Sequence, residues 1–128
     1  MRKFVVLAFL IFSSIFIASC SSNSDGPAKA VEDYWSVIAA KDAERLPTLV
    51  CGDWEDDAIT VLDSLQAVTA RLEAVSCSQA GTDGNTALVN CTGKMILTYD
   101  TEDQEIDLSV FTYDVVEEGG DWLVCGTR

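Results

Sequence analysis

Five cysteines and no histidine bound the chemistry open to this chain of 128 residues. Without an imidazole, neither a Ser-His-Asp nor a Cys-His arrangement can be assembled. Cys20 stands apart behind an apolar run, while Cys51, Cys77, Cys91 and Cys125 are spread through the rest of the chain. These four contain no close CxxC pair, the spacing that a cysteine-only zinc site needs. No metal and no cofactor is therefore expected. Two groups of carboxylates remain. Asp53, Glu55, Asp56 and Asp57 surround Trp54. On a helix, Asp53 and Asp57 would share a face, and a helix start attracts negative charge, which accounts for the group without a ligand. The stretch DTEDQEID, residues 100–107, superficially suggests calcium. It lacks the sixth-position glycine and the ligand spacing of an EF-hand, so a solvated turn is expected.

The N-terminus decides the compartment. Arg2 and Lys3 open the chain, residues 4–17 are apolar except for Ser13 and Ser14, and small Ala18 and Ser19 precede Cys20. That is the layout of a secretory signal. As a helix the apolar run would span about 21 Å, short of a hydrocarbon core of about 30 Å. Ile17, Ala18, Ser19 and Cys20 together resemble a bacterial lipobox. The resemblance implies a diacylglycerol on the Cys20 thiol, cleavage before Cys20 and acylation of the new amino group. The plainer alternative is an ordinary signal peptide that leaves a soluble secreted protein. One acyl chain binds a bilayer only marginally, whereas two or more hold it stably. The expected organisation is a signal over residues 1–19, a lipidated cysteine with a polar tether over residues 20–26, and one domain over residues 27–128. Membrane lipid is then the first partner, and the place is outside the cytoplasm on a bacterial membrane. A six-residue tether reaches about 20 Å at most, which keeps the domain near the surface.

Charge narrows the partners further. Once Arg2 and Lys3 leave with the signal, six basic side chains face 21 acidic ones, a net charge of −15. Such a surface repels phosphate backbones and anionic head groups. Nucleic acid is not expected as a partner. The acyl chains must do the anchoring.

The elements that position these residues follow from periodicity. Pro27 suits a first helical turn, with Ser24 or Asp25 as its cap. Ala30, Val31, Tyr34, Trp35, Ile38 and Ala39 form one apolar stripe on a helix of about 14 residues. Asp42 is placed to cap a second short helix over residues 43–50, with Pro47 in its first turns. Ala58, Val61, Leu62 and Leu65 predict a third helix over residues 54–67. From Arg71 on, the pattern changes to strands. Ala87, Val89, Cys91, Met95, Leu97 and Tyr99 alternate with Asn90, Thr92, Lys94 and Thr98, a half-buried strand. The turn signal GTDGN, residues 81–85, joins it to a strand ending near Cys77. A hairpin centred near Gly84 sets Cys77 opposite Cys91, close enough for a disulfide, as an even cysteine count in an exported chain suggests. Cys51 is left to pair with Cys125 in the closing strand WLVCG. In the strand between them, Ile106, Leu108 and Val110 share one parity and Phe111, Tyr113 and Val115 the other. Such a fault predicts a bulge or sharp bend.

Helices followed by antiparallel strands make an α+β order, with N-terminal helices packed against a curved antiparallel sheet. The phrases AVEDYWSVIAAKDAERLPTLVC and EEGGDWLVC resemble small bacterial lipoproteins of the nuclear-transport-factor-2-like fold, which also includes ketosteroid-isomerase-like and polyketide-cyclase-like proteins. The resemblance covers residues 27–126 and implies a cone whose open end can hold a pocket. Tyr34, Trp35, Trp54, Met95, Tyr99, Phe111, Tyr113 and Trp122 are the residues available to line it, or to fill the core. No acidic residue matches a catalytic position of that family. The expected function is an anchored binding or accessory module for a small apolar ligand or an envelope protein. The alternative is an acid–base enzyme in which a buried carboxylate stands beside Tyr34, Tyr99 or Tyr113.

Overall fold

The computed structural model describes residues 26–128. The expected signal over residues 1–19, Cys20 and residues 21–25 of the expected tether lie outside the described residues. Helix α1 spans Pro27–Ala40, with Pro27 in its first turn and Gly26 as an N-cap without a side-chain hydrogen bond. Gly26 holds the position expected of Ser24 or Asp25, which lie outside the described residues. Lys41 ends the helix in the left-handed conformation at φ 57°. Its N–H donates to the Ile38 carbonyl and that of Asp42 to the Val37 carbonyl, a Schellman closure. The Lys41 ammonium then reaches across to the Val68 carbonyl.

The expected second helix is reduced to a 3-10 turn at Leu46–Thr48. Asp42 does accept a hydrogen bond from the Arg45 N–H, at 3.1 Å. A helix over residues 43–50 fails for two reasons. Pro47 has no N–H for the Ala43 carbonyl. The backbone beyond is also taken up elsewhere: the Leu49 carbonyl accepts from Val124 and the Cys51 N–H donates to Val124, both at 2.9 Å. A second 3-10 turn, Gly52–Trp54, leads into helix α2, Glu55–Ser64. Asp53 therefore sits before α2, and Glu55, Asp56 and Asp57 occupy the first turn, where the helix dipole favours them.

The strands are β1 (Thr69–Asp83), β2 (Thr86–Tyr99), β3 (Glu102–Asp107), β4 (Thr112–Glu118) and β5 (Asp121–Thr127). They form one antiparallel sheet in the order β1-β2-β4-β5, with β3 also against β2. Residues 100–107 are thus a tight turn at 100–101 and a mostly exposed strand, β3, in place of the solvated turn expected for the whole stretch. The parity fault between Leu108 and Phe111 is a 3-10 turn, Leu108–Val110, that separates β3 from β4. Asp107 caps it, its carboxylate accepting from the Ser109 N–H at 2.9 Å and the Ser109 hydroxyl at 2.6 Å. Leu108 is fully buried and Val110 is 67% exposed, so Val110 leaves the apolar row expected for it.

Cys77 does lie opposite Cys91, but by a route other than a hairpin centred on Gly84. The turn residues are Gly84 and Asn85, between paired Asp83 and Thr86. Gly84 at the first central position has φ 59°, which glycine adopts without penalty. An unbroken ladder from that turn would oppose Cys77 to Thr92. A bulge at Ala80 shifts the register by one residue and restores Cys91. A second bulge places both Ala74 and Val75 against Gly93. Ala74 has φ 51° and Gly93 φ 92°, and a Cβ on Gly93 would stand 2.5 Å from the Ala74 carbonyl oxygen. Two bulges in one long hairpin bend and twist β1 and β2, curving the sheet around α1.

The core fills the space between α1 and the sheet. Val31, Tyr34, Ile38, Leu46, Leu62, Val89, Met95, Leu108, Tyr113, Val115 and Val124 are almost wholly buried. Disulfides join Cys77 to Cys91 within the hairpin and Cys51 to Cys125 across the domain, with Cα separations of 4.0 and 4.9 Å.

Candidate functional site

The aromatic residues of α1 meet those of β4 in the centre of the domain. Tyr34 and Trp35 are neighbours on α1, edge to face at 5.2 Å between ring centres. Tyr34 also meets Trp54 at 5.4 Å, and Trp35 meets Tyr113 edge-on at 6.1 Å. The Trp35 indole N–H donates to the Tyr113 hydroxyl at 3.0 Å. Burial pushes the Tyr113 phenol up to about 12, opposed by that hydrogen bond. The Tyr34 phenol is raised further, by burial first and then by Tyr113. Both are held neutral at any physiological pH.

Tyr34, Trp35, Tyr113 and Met95 are core residues, Trp54, Phe111 and Trp122 are half-buried, and Tyr99 is 43% exposed at the end of β2. Tyr99 thus leaves the expected lining altogether, because it is the last residue of β2, beside the exposed β2–β3 turn. None of the four best-formed grooves among the described residues is lined by Tyr34, Trp35, Trp54, Tyr99, Phe111 or Tyr113. The aromatics pack against one another and fill the space between α1 and the sheet. Among the described residues no Asp or Glu is buried. The carboxylate beside tyrosine that the acid–base alternative needs is not formed there. Nor do three His, Cys, Asp or Glu side chains gather there to hold a metal ion.

Polar chemistry lies on the outside. On the outer face of β1, β2 and β3, Arg71 pairs with Glu73 at 3.5 Å and Asp103 at 3.2 Å. Lys94 pairs with Glu73 at 3.8 Å and Glu105 at 2.5 Å. These side chains flank Ile96, which is 2% exposed on that face and paired with Arg71 and Glu105. Hydrogen bonds from Thr98 and Arg71 hold the Asp103 carboxyl below its usual range. A cleft of about 370 Å³ beside the Cys51–Cys125 bridge brings Asp53 and Glu118 together. A groove of about 600 Å³ runs between Ala28 of α1 and residues 77–82 of β1.

One contact at that groove ties helix to strand. Glu32 is half-buried, and its carboxylate accepts the Cys77 N–H at 2.9 Å. Sequence reasoning passes over Glu32, and over the Trp35–Tyr113 bond, because partners 45 and 78 residues away leave no local signal. The only hint is Glu32 at one turn from Ala28, on the face of α1 that meets β1. No protein-family model matches the chain, and neither a curated protein nor a solved structure is found similar to it.

Proposed function

We propose that this chain is a lipid-anchored accessory module of a bacterial envelope, held to the membrane by acylated Cys20 and acting by binding a partner protein at its surface. The domain is read as a nuclear-transport-factor-2-like cone whose interior is closed by its own aromatic residues. The observation that carries the reading is the fate of those aromatics. Tyr34, Trp35 and Tyr113 are committed to one another in the core, and no carboxylate among the described residues is buried with them. A small apolar ligand would have to displace them, at a cost of several kcal/mol in lost packing. A protein partner needs no such opening. The lipobox supports the anchor, and the two disulfides agree with an oxidising compartment. Among the described residues no helix is long and apolar enough to cross a bilayer.

The test is fractionation of a bacterium expressing the full chain and its Cys20→Ala variant. The native chain should sediment with membranes and resist extraction by high salt. The variant should move to the soluble extracytoplasmic fraction or remain as uncleaved precursor. Equal, salt-resistant membrane association of a processed Cys20→Ala chain would end the reading.

A further inference from the structure

We infer that the outer edge of β1 beside α1 is a strand-addition site for an extended peptide segment carrying a basic side chain. This rests on the partner-binding reading above and names the place and the chemistry. The Cys77–Cys91 Cα separation of 4.0 Å is that of a pair whose own N–H and C=O groups point away from each other. The backbone groups of Cys77 therefore face outward from the sheet, as its hydrogen bond to Glu32 requires. Those of Gln79, two residues on, face the same way. Among the described residues no backbone group outside β2 meets Gln79, and no other strand pairs with β1. An unpaired edge is a template for another strand.

The surroundings define the occupant. The groove of about 600 Å³ beside this edge leaves room for an extended chain between β1 and α1. Residues 74–82 carry no charge, so small neutral side chains suit the middle of the incoming strand. Glu32 stands at one end, with one oxygen on the Cys77 N–H and the other taking no hydrogen bond from the described residues. By contrast Glu73 and Asp83, which bound the uncharged stretch, are already paired with Lys94 and Arg128. A guanidinium or ammonium opposite Cys77 would meet Glu32 in a half-buried setting, where such a contact is worth more than on open surface. A second copy of the chain is a poor occupant. It would set Glu32 against Glu32 between two strongly acidic molecules.

The probe is a short blocked peptide alternating valine and threonine around one central arginine, added to the ¹⁵N-labelled full chain in neutral detergent. Its control is the same peptide with alternate backbone nitrogens methylated, which keeps the charge and removes the strand's donors. The expected result is amide shift changes confined to residues 77–82 and the first turns of α1. Methylation should weaken binding at least about 10-fold. Glu32→Gln should weaken it several-fold. Gln79→Pro, which removes an outward N–H, should abolish it while the rest of the spectrum stays folded. Equal binding of the methylated peptide, changes spread over Asp53 and Glu118, or no change up to about 1 mM peptide would each overturn the assignment. Membrane anchoring through Cys20 is read by fractionation, so failure here with anchoring intact sinks the edge site alone.

Discussion

Gly93 is the residue with least freedom to change. Its φ of 92° belongs to glycine, and any Cβ would overlap the backbone of Ala74 and Glu73 at 2.5–2.7 Å. Gly93→Ala should destabilise the domain by roughly 3 kcal/mol, measured by urea unfolding. Gly84→Ala, at the hairpin turn, meets nothing within 4 Å and should cost only its backbone strain, about 1 kcal/mol. Tyr113 is the second sensitive position. Tyr113→Phe strips the buried Trp35 indole of its acceptor and should cost about 1–3 kcal/mol. The same phenol gives a pH signature. A folded-state value of about 12 against an ordinary 10.0 means that the stability it contributes is complete below pH 10 and is lost as pH rises from 10 through 12. Unfolding followed across that window should show a falling midpoint. The fall should be shallower in Tyr113→Phe, with the raised Tyr34 phenol supplying what remains. An unchanged slope would remove Tyr113 from the account.

Among the elements, the disulfides act at different ranges. Cys77–Cys91 closes a loop with a separation of 14 residues inside a hairpin that hydrogen bonds already hold. Cys51–Cys125 spans 74 residues and fastens the closing strand to the segment between the helices. Chain entropy assigns them about 3 and about 4.5 kcal/mol respectively. The paired replacement Cys51→Ala with Cys125→Ala should therefore cost about 1.5 kcal/mol more than Cys77→Ala with Cys91→Ala. It should also speed amide exchange at Cys51 and Val124, whose hydrogen bonds lie beside that bridge. Much of this element layer was legible beforehand. The stripe on α1, the alternation in β2 and the break after Leu108 are local periodicities, and local periodicity is what a sequence displays. The short helix over residues 43–50 was misread because a bridge to β5, a non-local partner, outbid local propensity. The Cys77–Cys91 pairing emerged from a hairpin centre half a residue out, compensated by a bulge at Ala80 that no pattern announced. The candidate lining fared worst. An aromatic on a buried face looks the same in sequence whether it walls a cavity or fills one.

For the molecule as a whole, the proposed reading divides the work between the acidic surface and the anchor. On the proposed reading the signal is removed, six basic side chains remain against 21 acidic ones, and the domain should have no electrostatic affinity for anionic lipid. Chain lacking acyl groups should show no binding to phosphatidylglycerol vesicles even at low salt, where such attraction would be strongest. The proposal assigns all membrane affinity to Cys20, and its most direct measurement is the mass of the N-terminal peptide of protein taken from bacterial membranes. The account predicts a peptide that begins at Cys20 and carries a thioether-linked diacylglycerol and an N-acyl chain. A mature peptide that begins elsewhere, or with an unmodified Cys20, would contradict it.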